Sequence, residues 1–205
     1  MKKSAKVGAV HGRLQPLHND HMKYFLAGFE RAEFVYVGIT NPDPNLTSED
    51  KADANRAKLM SNPCNYYERM EMLDRSLVQA GISRDRFRVV PFPINYPELL
   101  KHYVPEDATF YMTIYDQWGD RKQELMESVG LKVDVLWKRP EDQKGINATV
   151  VRELIATGGD WEAMVPAGTA QVIREFGIDQ RIREIFGVQG AKRIEQSAER
   201  RAHSA

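Results

Sequence analysis

The sequence predicts an α/β fold, a doubly wound parallel sheet of about five strands with helices on both faces, and two observations carry it. Short apolar runs alternate with helical patterns along the chain, and glycines stand where those helices should end. The strand candidates are 7–10, 34–39, 87–91, 109–113 and 132–137. Each is short, apolar and rich in β-branched or aromatic residues, as strands covered on both faces are. Helical periodicity covers 21–31, 66–80, 97–103 and 118–129, with Gly81 and Gly130 at C-cap positions. Ligands of such Rossmann-like sheets bind outside the carboxyl ends of the strands, near the point where strand order reverses. Arg13 and His18 follow the first strand directly, so they are expected at that edge.

Beyond the fifth strand lie a loop, 138–145, and a helix opening near Ala148 or Thr149. Segments 160–166 and 167–176 are expected as short helices, and 179–186 as the element that closes the domain. Residues 1–187 are thus expected to form one domain. Residues 188–205 are polar and charged, with little apolar periodicity, and are expected to form a flexible tail. The basic residues of that tail, Lys192, Arg193, Arg200 and Arg201, are interrupted by Glu195 and Glu199, which favours a solvated segment over a nucleic-acid arm. The stretch 41–65 opens on Asn-Pro-Asp-Pro-Asn and has no core-facing stripe until Leu59 and Met60. It is either a lid or substrate loop or a solvated excursion.

Composition narrows the classes of function. The chain has 205 residues, 42% hydrophobic and 28% charged, with a formal net charge of +0. A neutral chain has no global field to attract nucleic acid or an anionic membrane. No apolar run reaches membrane-spanning length, and the basic N-terminus lacks the apolar region of a secretory leader. Cys64 is the one cysteine, so no internal disulfide forms, and the cytoplasm is the expected location.

The segment Gly12-Arg13-Leu14-Gln15-Pro16-Leu17-His18-Asn19-Asp20-His21 carries the chemistry. A strand, a tight turn, an arginine and two histidines at a helix start suggest a phosphate site. Helix N-termini present unpaired N–H groups and a partial positive charge, which suit an anion. Transfer at a phosphorus atom needs little covalent help from the protein; positioning and electrostatics do the work. Arg13, His18 and His21 suit that demand, with Mg²⁺ carried on a nucleoside triphosphate. Two other readings of the histidines stay open. Spaced three apart, they could bind zinc, although only His11 offers a third ligand nearby. Either could also be an ordinary core or capping residue. A second candidate segment is Gly145-Ile146-Asn147-Ala148-Thr149-Val150-Val151-Arg152. Asn147 or Thr149 can cap the following helix, and Arg152, one turn in, would add a mobile positive charge; a plain N-cap with a surface arginine is the alternative.

Together these segments resemble the nucleotidyltransferase superfamily marked by a His-x-Gly-His turn and a late Ile-Ser-x-Thr-x-x-Arg turn, and within it the archaeal-type nicotinamide-mononucleotide adenylyltransferases. The family's Gly-Arg-Phe-Gln-Pro-x-His-x-Gly-His is matched by residues 12–21, and the late turn by 146–152. Tyr67-Glu68-Arg69-Met70-Glu71-Met72-Leu73 resembles the family's Gly-Glu-Arg-x-x-Met-Leu helix, and Asp160-Trp161 with Val165-Pro166 its terminal element. The resemblance spans roughly 7–185. It implies in-line attack of an acceptor phosphate on the α-phosphorus of a triphosphate, with release of pyrophosphate. By this resemblance Arg13, His18, His21 and Arg152 are the catalytic candidates, Gly12, Asp20, Ile146, Asn147 and Thr149 bind the nucleotide, and Glu68 and Arg69 fix the scaffold.

The chain departs from the family pattern at several points. Asp20 stands for the glycine of the first turn and Asn147 for the serine of the late turn. Thr113-Ile114-Tyr115-Asp116 replaces the usual Ser/Thr-Gly-Asn, no tryptophan follows strand three, and 41–65 is longer. The first-ranked expectation is therefore an ATP-dependent nicotinamide- or nicotinate-mononucleotide adenylyltransferase of NAD biosynthesis. The alternative is a CTP-dependent cytidylyltransferase of the same superfamily acting on a small phosphorylated or phosphonate acceptor. In either case Tyr96, Tyr115 and Trp118 could stack on base or acceptor. A non-catalytic nucleotide sensor is the reading of another class. Small-molecule substrates are the expected partners, with neither nucleic acid nor membrane, and a homo-oligomer is open.

Overall fold

The first strand runs two residues further than its apolar core, because His11 and Gly12 still pair with the neighbouring strand. In the computed structural model, which describes residues 4–43 and 61–187, β1 is Ala5–Gly12, β2 Ala32–Thr40, β3 Phe87–Phe92, β4 Thr109–Ile114 and β5 Lys132–Lys138. All pairings are parallel, in the order β3-β2-β1-β4-β5. Strand order reverses between β1 and β4, which makes their carboxyl ends the ligand-binding edge. Of the stretch 41–65, expected as either a lid or substrate loop or a solvated excursion, residues 44–60 lie outside the described residues, as does the expected tail, 188–205.

Helices cover both faces. α1 (Asn19–Arg31) packs on β1, β2 and β4, α2 (Tyr66–Gln79) on β2 and β3, and α3 (Gln117–Ser128) on β4 and β5. Alternation along β1 sends Val10 to the α1/α2 side, among Phe25, Val37 and Leu73, and Ala9 to the other side, among Phe92, Phe110 and Met126. Gly28 lets α1 lie close on the sheet, since a Cβ there would approach Val10 Cγ1 to 2.6 Å. α4 (Ala148–Thr157) and α5 (Ala167–Glu175) complete the first cluster through Val151, Ile155, Val172 and Ile173. Segments 97–103 and 160–166, expected as helices, form only short 3₁₀ turns at Pro97–His102 and Glu162–Met164. Each is too short to repay the cost of an α-helical nucleus.

The start of α2 ties the domain together. Asn65 caps the helix by accepting from Glu68 N at 2.9 Å, and Glu68 Oε2 accepts from Asn65 N at 2.8 Å. Glu68, buried, also receives both terminal nitrogens of Arg181 at 2.8 Å, docking the helix of residues 178–187. Arg69, next in the chain, faces the sheet edge. It donates to the carbonyls of Asn65 (3.1 Å), Arg13 (3.1 Å), Thr40 (2.8 Å) and Asn41 (2.9 Å).

Candidate active site

A cleft of about 370 Å³ opens over the carboxyl ends of the strands at the switch point. Its walls come from the end of β1 and the start of α1, from the turns after β2, β3 and β4, from Trp137 on β5, and from the turn into α4.

The turn after β1 is held from three sides. Leu14 is buried in the left-handed region, at φ 55°, and Gln15–Pro16 is a cis peptide bond. A left-handed leucine costs of the order of 1 kcal/mol, so its surroundings must impose it. They do so through Gln15, whose amide donates to Cys64 O and accepts from Cys64 N, both at 2.8 Å. The third constraint is Arg69 on the Arg13 carbonyl.

His18 is the N-cap of α1, and the two histidines cap one another. His21 N donates to His18 Nδ1, and His18 N donates to His21 Nδ1, both at a long 3.4 Å. The rings stack with centroids 3.7 Å apart. Burial holds His18 down at a pKa of about 4 and lowers His21 well below the usual range; the His18 and Arg13 charges add to the second effect. Both rings are therefore neutral near pH 7. With Nδ1 accepting, each must carry its proton on Nε2, so each offers one N–H donor. Among the described residues no group of three or more His, Cys, Asp or Glu side chains gathers as a metal cage.

Asp20 links the two motifs. Its Oδ2 accepts from Ile146 N, and Oδ1 pairs with Lys23 Nζ at 2.6 Å. The charge at the usual glycine position is thus turned onto a backbone N–H of the late turn. Gly145 is its counterpart, because a Cβ there would overlap the Asp20 carboxylate. In the late turn Asn147 Oδ1 accepts from Thr149 N at 3.0 Å and Val150 N at 3.1 Å, so the cap itself takes two of the N–H groups at this helix start.

Of the expected site residues, Gly12, Arg13, His18, Asp20, His21, Ile146 and Asn147 line one cleft. Thr149 and Arg152 are not among its lining residues. Arg152, expected as a mobile charge, is buried instead. Its guanidinium donates to Gln15 O at 2.6 Å and to Thr149 Oγ1 at 3.1 Å, bracing the first turn against α4. Of the three aromatics, Tyr115 and Trp118 line the cleft and Tyr96 does not. Tyr115 Oη accepts from Trp137 Nε1 at 2.8 Å, and Arg139 lies over the Trp137 ring at 5.3 Å. Several lining residues were not assigned to the site from the sequence, among them Thr113, Lys122, Trp137 and Lys144, and His11 entered that reading only as a third zinc ligand. His11 left a signal, an ionisable side chain closing an otherwise apolar strand.

A parallel sheet carrying paired histidine donors and a second helix start at its switch point has the architecture of a nucleotidyltransferase. No protein-family model matches the sequence. The chain is 48% identical over 179 residues to a phosphonoformate cytidylyltransferase of Streptomyces viridochromogenes, covering 87% of this chain and 96% of that protein. It is 30% identical over 180 residues to a nicotinamide-nucleotide adenylyltransferase of Thermococcus kodakarensis, covering 87% of each. A bifunctional NMN adenylyltransferase/ADP ribose pyrophosphatase of Francisella tularensis shares the fold, with a TM-score of 0.67 at 15% identity over 94% of this chain; the chain spans 56% of that protein. The chain belongs to the His-x-Gly-His nucleotidyltransferase superfamily and is an enzyme of that class. No helix among the described residues is long and apolar enough to cross a membrane.

Proposed function

We propose that the enzyme transfers a cytidylyl group from CTP to a small phosphonate or phosphate-bearing acceptor. The observation that carries this is the 48% identity to a phosphonoformate cytidylyltransferase over 96% of that protein's length. The departures from the adenylyltransferase pattern agree with it: Tyr115 and Asp116, Ile94 and Asn95 all line the cleft where acceptor and base would sit.

In the reaction an acceptor oxygen attacks the α-phosphorus in line. A P–O–P linkage forms, the bond to the β-phosphate oxygen breaks, and pyrophosphate leaves. A dianionic acceptor has no proton to lose, so no general base is required. The task left to the protein is to hold the phosphates and meet the charge gathering on the non-bridging oxygens. Arg13 supplies positive charge for this, and the Nε2–H groups of His18 and His21 supply neutral donors of fixed direction. Asn147 and Ile146 shape the turn facing them. Arg152 acts through that frame, by tying Gln15 O to Thr149. Mg²⁺ bound to the triphosphate would lower the charge on the leaving pyrophosphate. With no three-ligand cage among the described residues, substrate phosphates would supply most of its ligands.

A screen of pyrophosphate release tests the proposal, with each of the four nucleoside triphosphates offered against phosphonoformate, sugar phosphates and nicotinamide mononucleotide. Release with CTP and a small acceptor is expected. A second reading, adenylyl transfer to nicotinamide mononucleotide, draws on the 30% identity to the archaeal enzyme; release confined to ATP and that mononucleotide would establish it instead. Triphosphate binding with no release from any pair would point to a sensor.

A further inference from the structure

His11 has no part in the transfer step described above, yet it is held with care. Its backbone N–H donates to Tyr24 Oη at 3.2 Å, and Tyr24 Oη donates on to Tyr111 O at 2.6 Å. Its ring stacks flat on Phe92, with centroids 4.6 Å apart and planes 2° from parallel. Only 6% of the residue is exposed, and neither ring nitrogen has a hydrogen-bond partner among the described residues. A buried imidazole left unsatisfied lowers stability, and such a group in a folded protein asks for a reason: strain, a catalytic task, or a bound water, ion or ligand. The ring borders the cleft, and so does Lys122, reaching in from α3 on the far side of the switch point. Burial and the Lys122 charge both push the His11 pKa down, so the ring offers a neutral N–H beside a cation.

Resting on the transfer reading above, we infer that His11 and Lys122 form a subsite for a second oxyanion of the acceptor, a carboxylate carried beside the phosphonate or phosphate that attacks. A neutral N–H and an ammonium together suit a carboxylate, with one directed donor and one diffuse charge. A pyridine carboxamide has no anion for the lysine. The subsite therefore favours acceptors that carry a carboxylate beside the reacting phosphonate or phosphate over nicotinamide mononucleotide. The stacked Phe92 fixes the plane of the ring, and with it the direction from which the carboxylate is received.

The test separates this subsite from the transfer reaction. Phosphonoformate and phosphonoacetate carry the carboxylate; methylphosphonate lacks it and serves as the control. Each is titrated onto the enzyme loaded with a non-hydrolysable CTP analogue, and where turnover occurs KM and kcat follow from pyrophosphate release. The wild type is expected to bind one of the carboxylated probes at least tenfold more tightly than methylphosphonate. His11→Val and Lys122→Met should each remove that preference while the KM for CTP stays within about twofold, and His11→Asn, which keeps a donor, should recover part of it. Lys122→Met changes a half-buried helix residue and covers the case in which His11→Val fails to fold. Equal binding of all three probes by the wild type, or a preference that survives both substitutions, overturns the subsite. Because these titrations need no turnover, absence of pyrophosphate release counts against the transfer reading alone.

Discussion

Asp20 and Gly145 should behave as one unit, and a double-mutant cycle can measure it. Replacing Asp20 by glycine removes a charged acceptor from Ile146 N. A hydrogen bond to a charged group contributes about 1.5–3 kcal/mol. The exposed Lys23 pair adds little, with Lys23 73% exposed, and glycine in the first turn of α1 costs up to about 1 kcal/mol more. Asp20→Gly is thus expected to destabilise by roughly 3 kcal/mol. Gly145→Ala alone drives a methyl group into the same carboxylate and breaks the same hydrogen bond, at about 2 kcal/mol. Gly145 does not adopt a positive φ, so alanine carries no conformational penalty of its own there. Once Asp20 is absent, the methyl group has nothing to strike. The double variant should be about as stable as Asp20→Gly alone, a coupling of about 2 kcal/mol. Urea unfolding of the four proteins measures it, and pyrophosphate release at saturating substrate reports whether the late turn keeps its place. Asp20→Gly should retain activity, because glycine is the residue of the family pattern. Stability effects that add within about 0.5 kcal/mol would refute the reasoning.

Two further outcomes are expected. His18→Ala should lower turnover by about two orders of magnitude or more, the scale of a lost charge-stabilising donor, and cost about 1 kcal/mol as a lost cap; unchanged pyrophosphate release from a folded variant would remove His18 from the chemistry. Stability should be level between about pH 7 and 8 and fall as pH drops from 6.5 towards 4, because the unfolded chain takes up protons there that the folded His18, at about 4, refuses. At roughly 1.4 kcal/mol per pH unit, His18 alone would take about 3 kcal/mol across that window. His11 and His21 act in the same direction. Urea unfolding at pH 7.5 and 5.0 should show His18→Asn less acid-sensitive than the wild type, and equal sensitivity would place the effect elsewhere.

The sheet was legible because buried parallel strands need little beyond apolar, β-branched runs, and the five runs fall inside β1 to β5. The first cleft wall was legible because a motif at a strand end stays local: Gly12 to His21 holds both the turn and the helix cap. What could not be read was long-range. The burial of Arg152 depends on a carbonyl at Gln15, 137 positions away. The role of Asp20 depends on Ile146, 126 positions away, and no local pattern announces which carboxylate will meet which N–H. The left-handed Leu14 was equally hidden, since its surroundings impose a backbone that leucine does not favour. His11 was visible as a histidine, but only the stack on Phe92 and the neighbouring Lys122 give it a direction.

Arg69 gathers the rim of the cleft entirely through main-chain oxygens. A carbonyl is the same acceptor whatever side chain its residue bears. The side chains at 13 and 40 can therefore be exchanged without loosening the clasp, while Arg69 itself, Asn65 as the cap of its helix and the left-handed Asn41 cannot. Such a frame lets a lineage change what it accepts at the mouth of the sheet and keep the reacting phosphates in register, which would suit a superfamily whose members load different acceptors with one chemistry.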